Sequence, residues 1–203
     1  MSEYYVNSQH MLIGPNVRHE LLPEALRQQE IQPWSIILHS NAGPRKTPWE
    51  SLKAFMARED ITGESHFLVD MDGTIVQLMP LNRRADCNYK ANSFTVPFYG
   101  SKMVVGAISF ETQDEGYGTL DQTPWTLPQV TAIANAVAAI GHKYGVPYVQ
   151  PARWSDQGVG HHCLFPEWSI YKGKTCPGRA RIQQMDFIRM QAASICACAP
   201  EGA

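Results

Sequence analysis

No apolar run in the 203-residue chain approaches the ~20 residues that a membrane-spanning helix requires, so insertion into a bilayer is not expected. Neither charge predominates. Lys and Arg number 17 against 19 Asp and Glu, a formal net charge of -2, and without a basic stripe the chain is not expected to bind nucleic acid. Met1 to Asn16 has neither a basic n-region nor an apolar h-region, so no signal peptide is expected. The five cysteines (Cys87, Cys163, Cys176, Cys196, Cys198) are an odd number without a C-x-x-C pair. That pattern does not read as a disulfide framework or a closed zinc finger, and synthesis in a reducing compartment is the simpler expectation. Cys196-Ala-Cys198 is a weak metal or redox signal that reads more simply as a frayed tail. Internal repeats and low-complexity linkers are also missing, which leaves one domain over 1–203, long enough to bury a sizeable core. The 44% hydrophobic and 18% charged composition places it among ordinary globular chains.

What is present alternates between short apolar runs and helical periods. Trp34-Ser35-Ile36-Ile37-Leu38-His39, bounded by Pro33 and by Ser40-Asn41-Ala42-Gly43-Pro44, predicts a buried strand emptying into a loop. His66 to Asp70 and Thr74 to Leu78 flank Met71-Asp72-Gly73 and predict a hairpin. Met103 to Phe110 suits a central strand, with Glu111 at its end. Thr47-Pro48-Trp49-Glu50 is a helix start followed by a Leu52, Phe55, Met56 stripe. Thr126-Leu127-Pro128-Gln129 repeats the capping logic before Val130, Ile133, Val137, Ile140 and Tyr144, stopped by Gly145 and Pro147. Ile182, Met185, Ile188, Ala192 and Ile195 mark a C-terminal amphipathic helix. A short helical pattern at Leu21, Leu22, Ala25 and Leu26 sits in an N-terminal extension, 1–33, ahead of a core at about 34–196. Asn82 to Tyr99 has no clear period and is expected to be a long loop lining a groove. Strands interleaved with helices predict an α/β domain with one central sheet.

The chemistry concentrates in Gly160-His161-His162-Cys163-Leu164-Phe165-Pro166 running into Lys172-Gly173-Lys174-Thr175-Cys176-Pro177-Gly178. Imidazole and thiolate are ligands that zinc prefers, and a catalytic zinc takes three protein ligands with one position left open. Cys176 precedes an apolar-periodic run, and a nearby helix N-terminus together with Lys174 would favour its thiolate. His39, delivered by a strand to a loop, is the candidate third ligand. On residue chemistry alone Cys176 is as readily a small buried hydrophobe, His39 a hydrogen-bonded structural histidine, and His161 and His162 an exposed polar pair.

The ordered set of strand and His39, then His66 to Leu78, then Val105-Gly106-Ala107-Ile108-Ser109-Phe110-Glu111, then Gly160-His161 with Pro166 and Lys174-Thr175-Cys176-Pro177-Gly178, resembles the type 2 N-acetylmuramoyl-L-alanine amidases. These share a fold with the peptidoglycan recognition proteins. The resemblance runs from about Trp34 to the last helix, and the Gly-His-His-Cys-Leu-Phe-Pro and Gly-Lys-Thr-Cys-Pro-Gly variants look most like amidase domains of phage endolysins of mycobacteriophage type. It implies a mixed central β-sheet flanked by helices. It implies zinc held by His39, His161 (in preference to His162) and Cys176, with Lys174 stabilising the oxyanion and Glu111 orienting or deprotonating the attacking water. Ser65 stands where some relatives place a Tyr for that task, and the loop Ala85-Asp86-Cys87-Asn88-Tyr89 departs from the Trp-His-Ala-Gly common there.

The implied activity is hydrolysis of the amide between N-acetylmuramic acid and L-alanine of peptidoglycan, for phage-mediated host lysis. The protein is expected to be a monomer, made in the host cytoplasm and acting on the wall after release. Two rivals differ in class: a peptidoglycan-binding module without catalysis, and a metal-free thiol hydrolase using Cys176 or Cys163 with His161 as base.

Overall fold

The computed structural model describes residues 3–41, 54, 56, 64–114, 121–171, 173 and 175–197. The elements in chain order are β1 (Tyr5–Val6), β2 (Leu12–Ile13), β3 (Val17–His19), β4 (Gln32–Ser40), β5 (Phe67–Val69), β6 (Ile75–Gln77), β7 (Phe94–Phe98), β8 (Ser101–Thr112), α1 (Leu127–Tyr144), β9 (Gly158–His161), α2 (Arg179–Ile182) and α3 (Met185–Ala197). Short 3-10 turns at Tyr89–Ala91 and Pro166–Trp168 interrupt the loops.

Seven strands form one mixed sheet in the order β3-β6-β5-β8-β4-β9, with β7 also paired to β8. β4 lies parallel between β8 and β9, β5 and β6 form the expected antiparallel hairpin, and β7 runs antiparallel to the start of β8. In that hairpin Gly73 turns at φ 86, and a Cβ there would meet the Pro128 carbonyl at 2.8 Å, which excludes other residues on two counts.

The apolar alternation along β4 sorts its side chains to two sides. Ile36 and Leu38 enter a large core with Phe67, Phe110, Val159 and the buried stripe of α1 and α3. Ile37 faces the other way, against Ala91, Ala107 and Trp168. One face of the sheet is thus covered by α1 and α3, the other by turns and loops together with the helical residue Met56. α1 begins as expected: Thr126 Oγ1 accepts from Gln129 N, the Gln129 side chain accepts from Thr126 N, and Gly145 closes the helix in the left-handed region.

Two expectations are corrected. The helical pattern at Leu21–Leu26 forms consecutive turns, with Ala25 N donating to Leu22 O and Arg27 N to Glu24 O. Pro23 follows Leu22 directly, and Leu22 and Ala25, three apart, are buried in a second cluster with Met56, Leu68 and Val76 while Leu26 stays exposed. Ahead of these turns, β3 adds an edge strand to the main sheet. The span Asn82–Tyr99 is not all loop, because Phe94–Phe98 pairs with Ser101–Val105 across a Tyr99-Gly100 turn. Pro97 is tolerated there because a strand that pairs on one side only need not donate from every residue. The helix expected from Thr47 lies outside the described residues apart from Ala54 and Met56, both helical.

Candidate metal centre

His39 is the next-to-last residue of β4 and is 1% exposed. Its register partner on β8 is Glu111. Paired residues in a parallel ladder point to the same side of the sheet, so the carboxylate stands beside the imidazole, Oε1 3.6 Å from Nδ1. At the opposite edge of the ring, Nε2 lies 2.7 Å from Asn88 Oδ1. The His39 backbone is held as well, its carbonyl accepting from Thr112 Oγ1 at 2.6 Å.

The neighbouring strand decides which of the paired histidines joins His39. β9 aligns Ile36 with Val159, Ile37 with Gly160 and Leu38 with His161. His161 therefore shares the helix-covered face with Leu38. Burial there, with the charge of Arg189 on α3 as a smaller influence, lowers its pKa to about 4. Gly160 opens the other face, since a Cβ at that position would fall 2.7 Å from the Trp168 ring. His162 follows by one residue, its N–H continuing the pairing to Leu38 O at 3.1 Å, and its ring comes to 4.2 Å from that of His39 between centroids. The histidine that the structure groups with the other two expected ligands is therefore His162 and not His161: His39, His162 and Cys176 bring their donor atoms within 4.8 Å of one another. His161 Nδ1 lies instead 3.4 Å from Cys163 Sγ. The physical reason is parity, because a one-residue step along a strand reverses the face.

Cys176 reaches the site from the loop before α2. Ser40 N–H donates to its sulfur at 3.2 Å, the sulfur lies 3.6 Å from Ser40 O, and Cys163 N–H donates to the Cys176 carbonyl at 3.1 Å. The Ser40 hydroxyl donates to the Asp114 carboxylate and accepts from Arg181 Nη1 at 2.9 Å, and Arg181 Nη1 also donates to Pro177 O at 3.1 Å. Asp114 and Arg181 are each 1% exposed and lie 3.6 Å apart. This buried pair ties the Cys176 loop to the ends of β4 and β8. Removing either partner would strand a buried charge.

Nothing in the spacing pointed to Asn88, Ser40, Asp114 or Arg181, which meet only through the fold. Ser65 is fully buried, its hydroxyl donating to Ser109 O and Phe67 O, so it is engaged in structure. Cys87, 4.0 Å from His39 Nε2, is a further soft donor, but burial pushes its thiol pKa up, with Glu111 adding to the effect. Lys174 lies outside the described residues.

Two imidazoles and one thiol sulfur suit zinc. Ligands at ~2.0–2.3 Å from a tetrahedral zinc sit roughly 3.5 Å apart, so this group needs only small side-chain adjustments to close on one ion.

Two buried imidazoles and a partly buried thiol at the end of a central parallel strand, beside a carboxylate, form a group that could hold a metal ion. The model of the family Amidase_2, N-acetylmuramoyl-L-alanine amidase, matches residues 29–179, and the chain belongs to that family. No curated protein sequence matches it. Among solved structures, the endolysin N-acetylmuramoyl-L-alanine amidase LysCS from Clostridium intestinale URNW superposes with a TM-score of 0.57 at 16% identity, covering 89% of this chain and 95% of that one. PlyL gives 0.54 at 21% identity over 84% and 97%. The Ph2119 endolysin from the Thermus scotoductus MAT2119 bacteriophage gives 0.51 at 18% over 84% and 99%. These likenesses carry the fold. The mixed sheet with flanking helices is theirs as well.

Proposed function

We propose that the protein is a zinc-dependent N-acetylmuramoyl-L-alanine amidase, hydrolysing the amide between the lactyl group of N-acetylmuramic acid and the first L-alanine of the peptidoglycan stem. The observation that carries this reading is the convergence of His39, His162 and Cys176 beside Glu111 in a chain of this family. His39, His162 and Cys176 hold the metal. Zinc supplies a Lewis acid that makes water nucleophilic near neutral pH. Glu111 accepts a proton from the attacking water and returns it to the leaving alanine nitrogen, so the amide C–N bond breaks to give a carboxylic acid and a free amine. Lys174, two residues before Cys176 in sequence, places positive charge at the carbonyl oxygen as it gains negative charge, a contribution of about 3–4 kcal/mol for one such donor.

Two of the structural neighbours are endolysins, one of them from a bacteriophage, which supports a role in phage-mediated lysis. In that role the chain is made in the host cytoplasm, acts as a monomer and reaches the wall after release. A metal-free thiol hydrolase draws support from the Cys163–His161 approach, although burial holds the Cys163 thiol above its ordinary pKa.

The test is release of L-alanine amino termini from purified peptidoglycan, measured with zinc, after chelation and after zinc is restored. Loss on chelation and recovery with zinc are expected. Undiminished hydrolysis after chelation would establish the thiol reading, and peptidoglycan binding without hydrolysis by the zinc-loaded protein would establish a binding module.

A further inference from the structure

Asn88 occupies the position just before the 3-10 turn Tyr89–Ala91, where an Asn side chain ordinarily caps the turn. It makes no such bond. The turn is closed by backbone instead, Ala91 N donating to Asn88 O at 3.0 Å, and the Asn88 N–H is taken by Asn92 Oδ1 at 2.6 Å. The side chain is thereby freed to enter the site, fully buried, with Oδ1 2.7 Å from His39 Nε2. Its Nδ2 group is buried with no hydrogen-bond partner among the described residues. An orphaned amide donor costs about 1–3 kcal/mol, a cost that an apolar side chain of similar size would avoid. The residue is therefore explained by its oxygen, and that oxygen contacts one edge of one imidazole.

We infer that Asn88 is a positioning residue that keeps the His39 proton on Nε2, so that Nδ1, the edge facing Glu111, is the atom left to bind metal. A neutral imidazole has one protonated and one lone-pair nitrogen, and the bond made by the first fixes the role of the second. With Nε2–H donating to Asn88 Oδ1, the lone pair of Nδ1 is directed to the side where Glu111 Oε1 stands at 3.6 Å. The metal and the proton acceptor for water are then served from the same edge of the ring. The inference rests on the zinc reading above and adds to it the residue that sets the tautomer.

The experiment combines zinc affinity, from competition with a chromogenic chelator, and long-range proton–nitrogen NMR of the histidine rings in the full chain. Three proteins are compared: wild type, Asn88→Leu, which removes the acceptor at similar volume, and Asn88→Asp, which keeps an acceptor. Removal of such an outer partner typically costs about 10- to 100-fold in metal affinity, so that loss is expected for Asn88→Leu and near-wild-type affinity for Asn88→Asp. In zinc-loaded wild type the His39 proton is expected on Nε2. Zinc affinity of Asn88→Leu within about twofold of wild type would overturn the inference, as would a His39 proton on Nδ1 in zinc-loaded wild type. Should Asn88→Leu not fold, that wild-type spectrum decides. Failure of wild type to take up zinc would overturn the metal reading alone; the metal-free spectrum then tests the tautomer, a proton on Nε2 supporting it and one on Nδ1 overturning it.

Discussion

Leu38 and His39 are adjacent on β4 and do opposite things. Leu38 is fully buried against α1 and α3 with Ile36, Phe110 and Val159, a packing of aliphatic and aromatic side chains that any volume-matched set could reproduce. On the reverse face His39 is almost as buried, yet its neighbours are Asn88, Glu111 and His162, polar groups that fix one arrangement. The same division repeats one strand over, where His161 falls on the helix side and His162 on the loop side. The helix-covered face supplies stability that tolerates substitution of shape. The loop-covered face holds chemistry that tolerates almost none, and it is built from segments far apart in sequence. Depth of burial does not separate the two faces; the partners do.

The comparison can be pressed hardest at Glu111. Glu111→Gln keeps the shape beside His39 and removes the proton acceptor, and a general base is worth about 100- to 10,000-fold. A loss of that size in kcat at full zinc content is expected, with Lys174→Ala also lowering kcat more than KM. Near-wild-type turnover from Glu111→Gln would move the base elsewhere.

On the other face the expected cost appears as stability. Leu38→Ala should destabilise the fold by about 2–5 kcal/mol in denaturant titration, while the folded fraction still takes up zinc. Loss of zinc binding at unchanged stability would erase the distinction between the faces.

The fold was legible where periodicity and punctuation agreed. The Asp72-Gly73 hairpin, the Thr126–Gln129 capping box and the α3 stripe are local signals, and local signals survive folding. β7 was hidden by Pro97 and by its half-exposed pattern, and the Leu21–Leu26 turns by apolar spacing that a single turn satisfies as well as a helix. Within the candidate site, the strand ends and the motif order singled out His39, Glu111 and Cys176, which the fold brings close together. The choice between His161 and His162 could not be made from residue types, because it depends on the register of β9 against β4, which is set by long-range pairing. Asn88 and the Ser40–Asp114–Arg181 network are of the same kind.

A smaller effect sharpens the boundary between stability and chemistry. His66 is fully buried, its ring bonded to Ser109 Oγ and the Arg83 carbonyl, and burial lowers its pKa to about 4. Between the unfolded value near 6.5 and about 4 the unfolded chain binds the extra proton, so stability falls as pH falls through that window and the slope ends below it. The loss should reach at most about 3 kcal/mol. His66→Gln should flatten this part of the stability–pH curve, and an unchanged slope would assign the acid sensitivity to other groups.

The placement of one histidine on each face is tested most directly by the zinc content of two variants, His161→Ala and His162→Ala, purified in parallel and measured by elemental analysis with circular dichroism as the check on folding. Folded His161→Ala is expected to retain about one zinc per chain, whereas His162→Ala is expected to lose it along with hydrolysis of peptidoglycan. A folded His162→Ala that keeps its zinc, beside a His161→Ala that has lost it, would contradict the arrangement of the site.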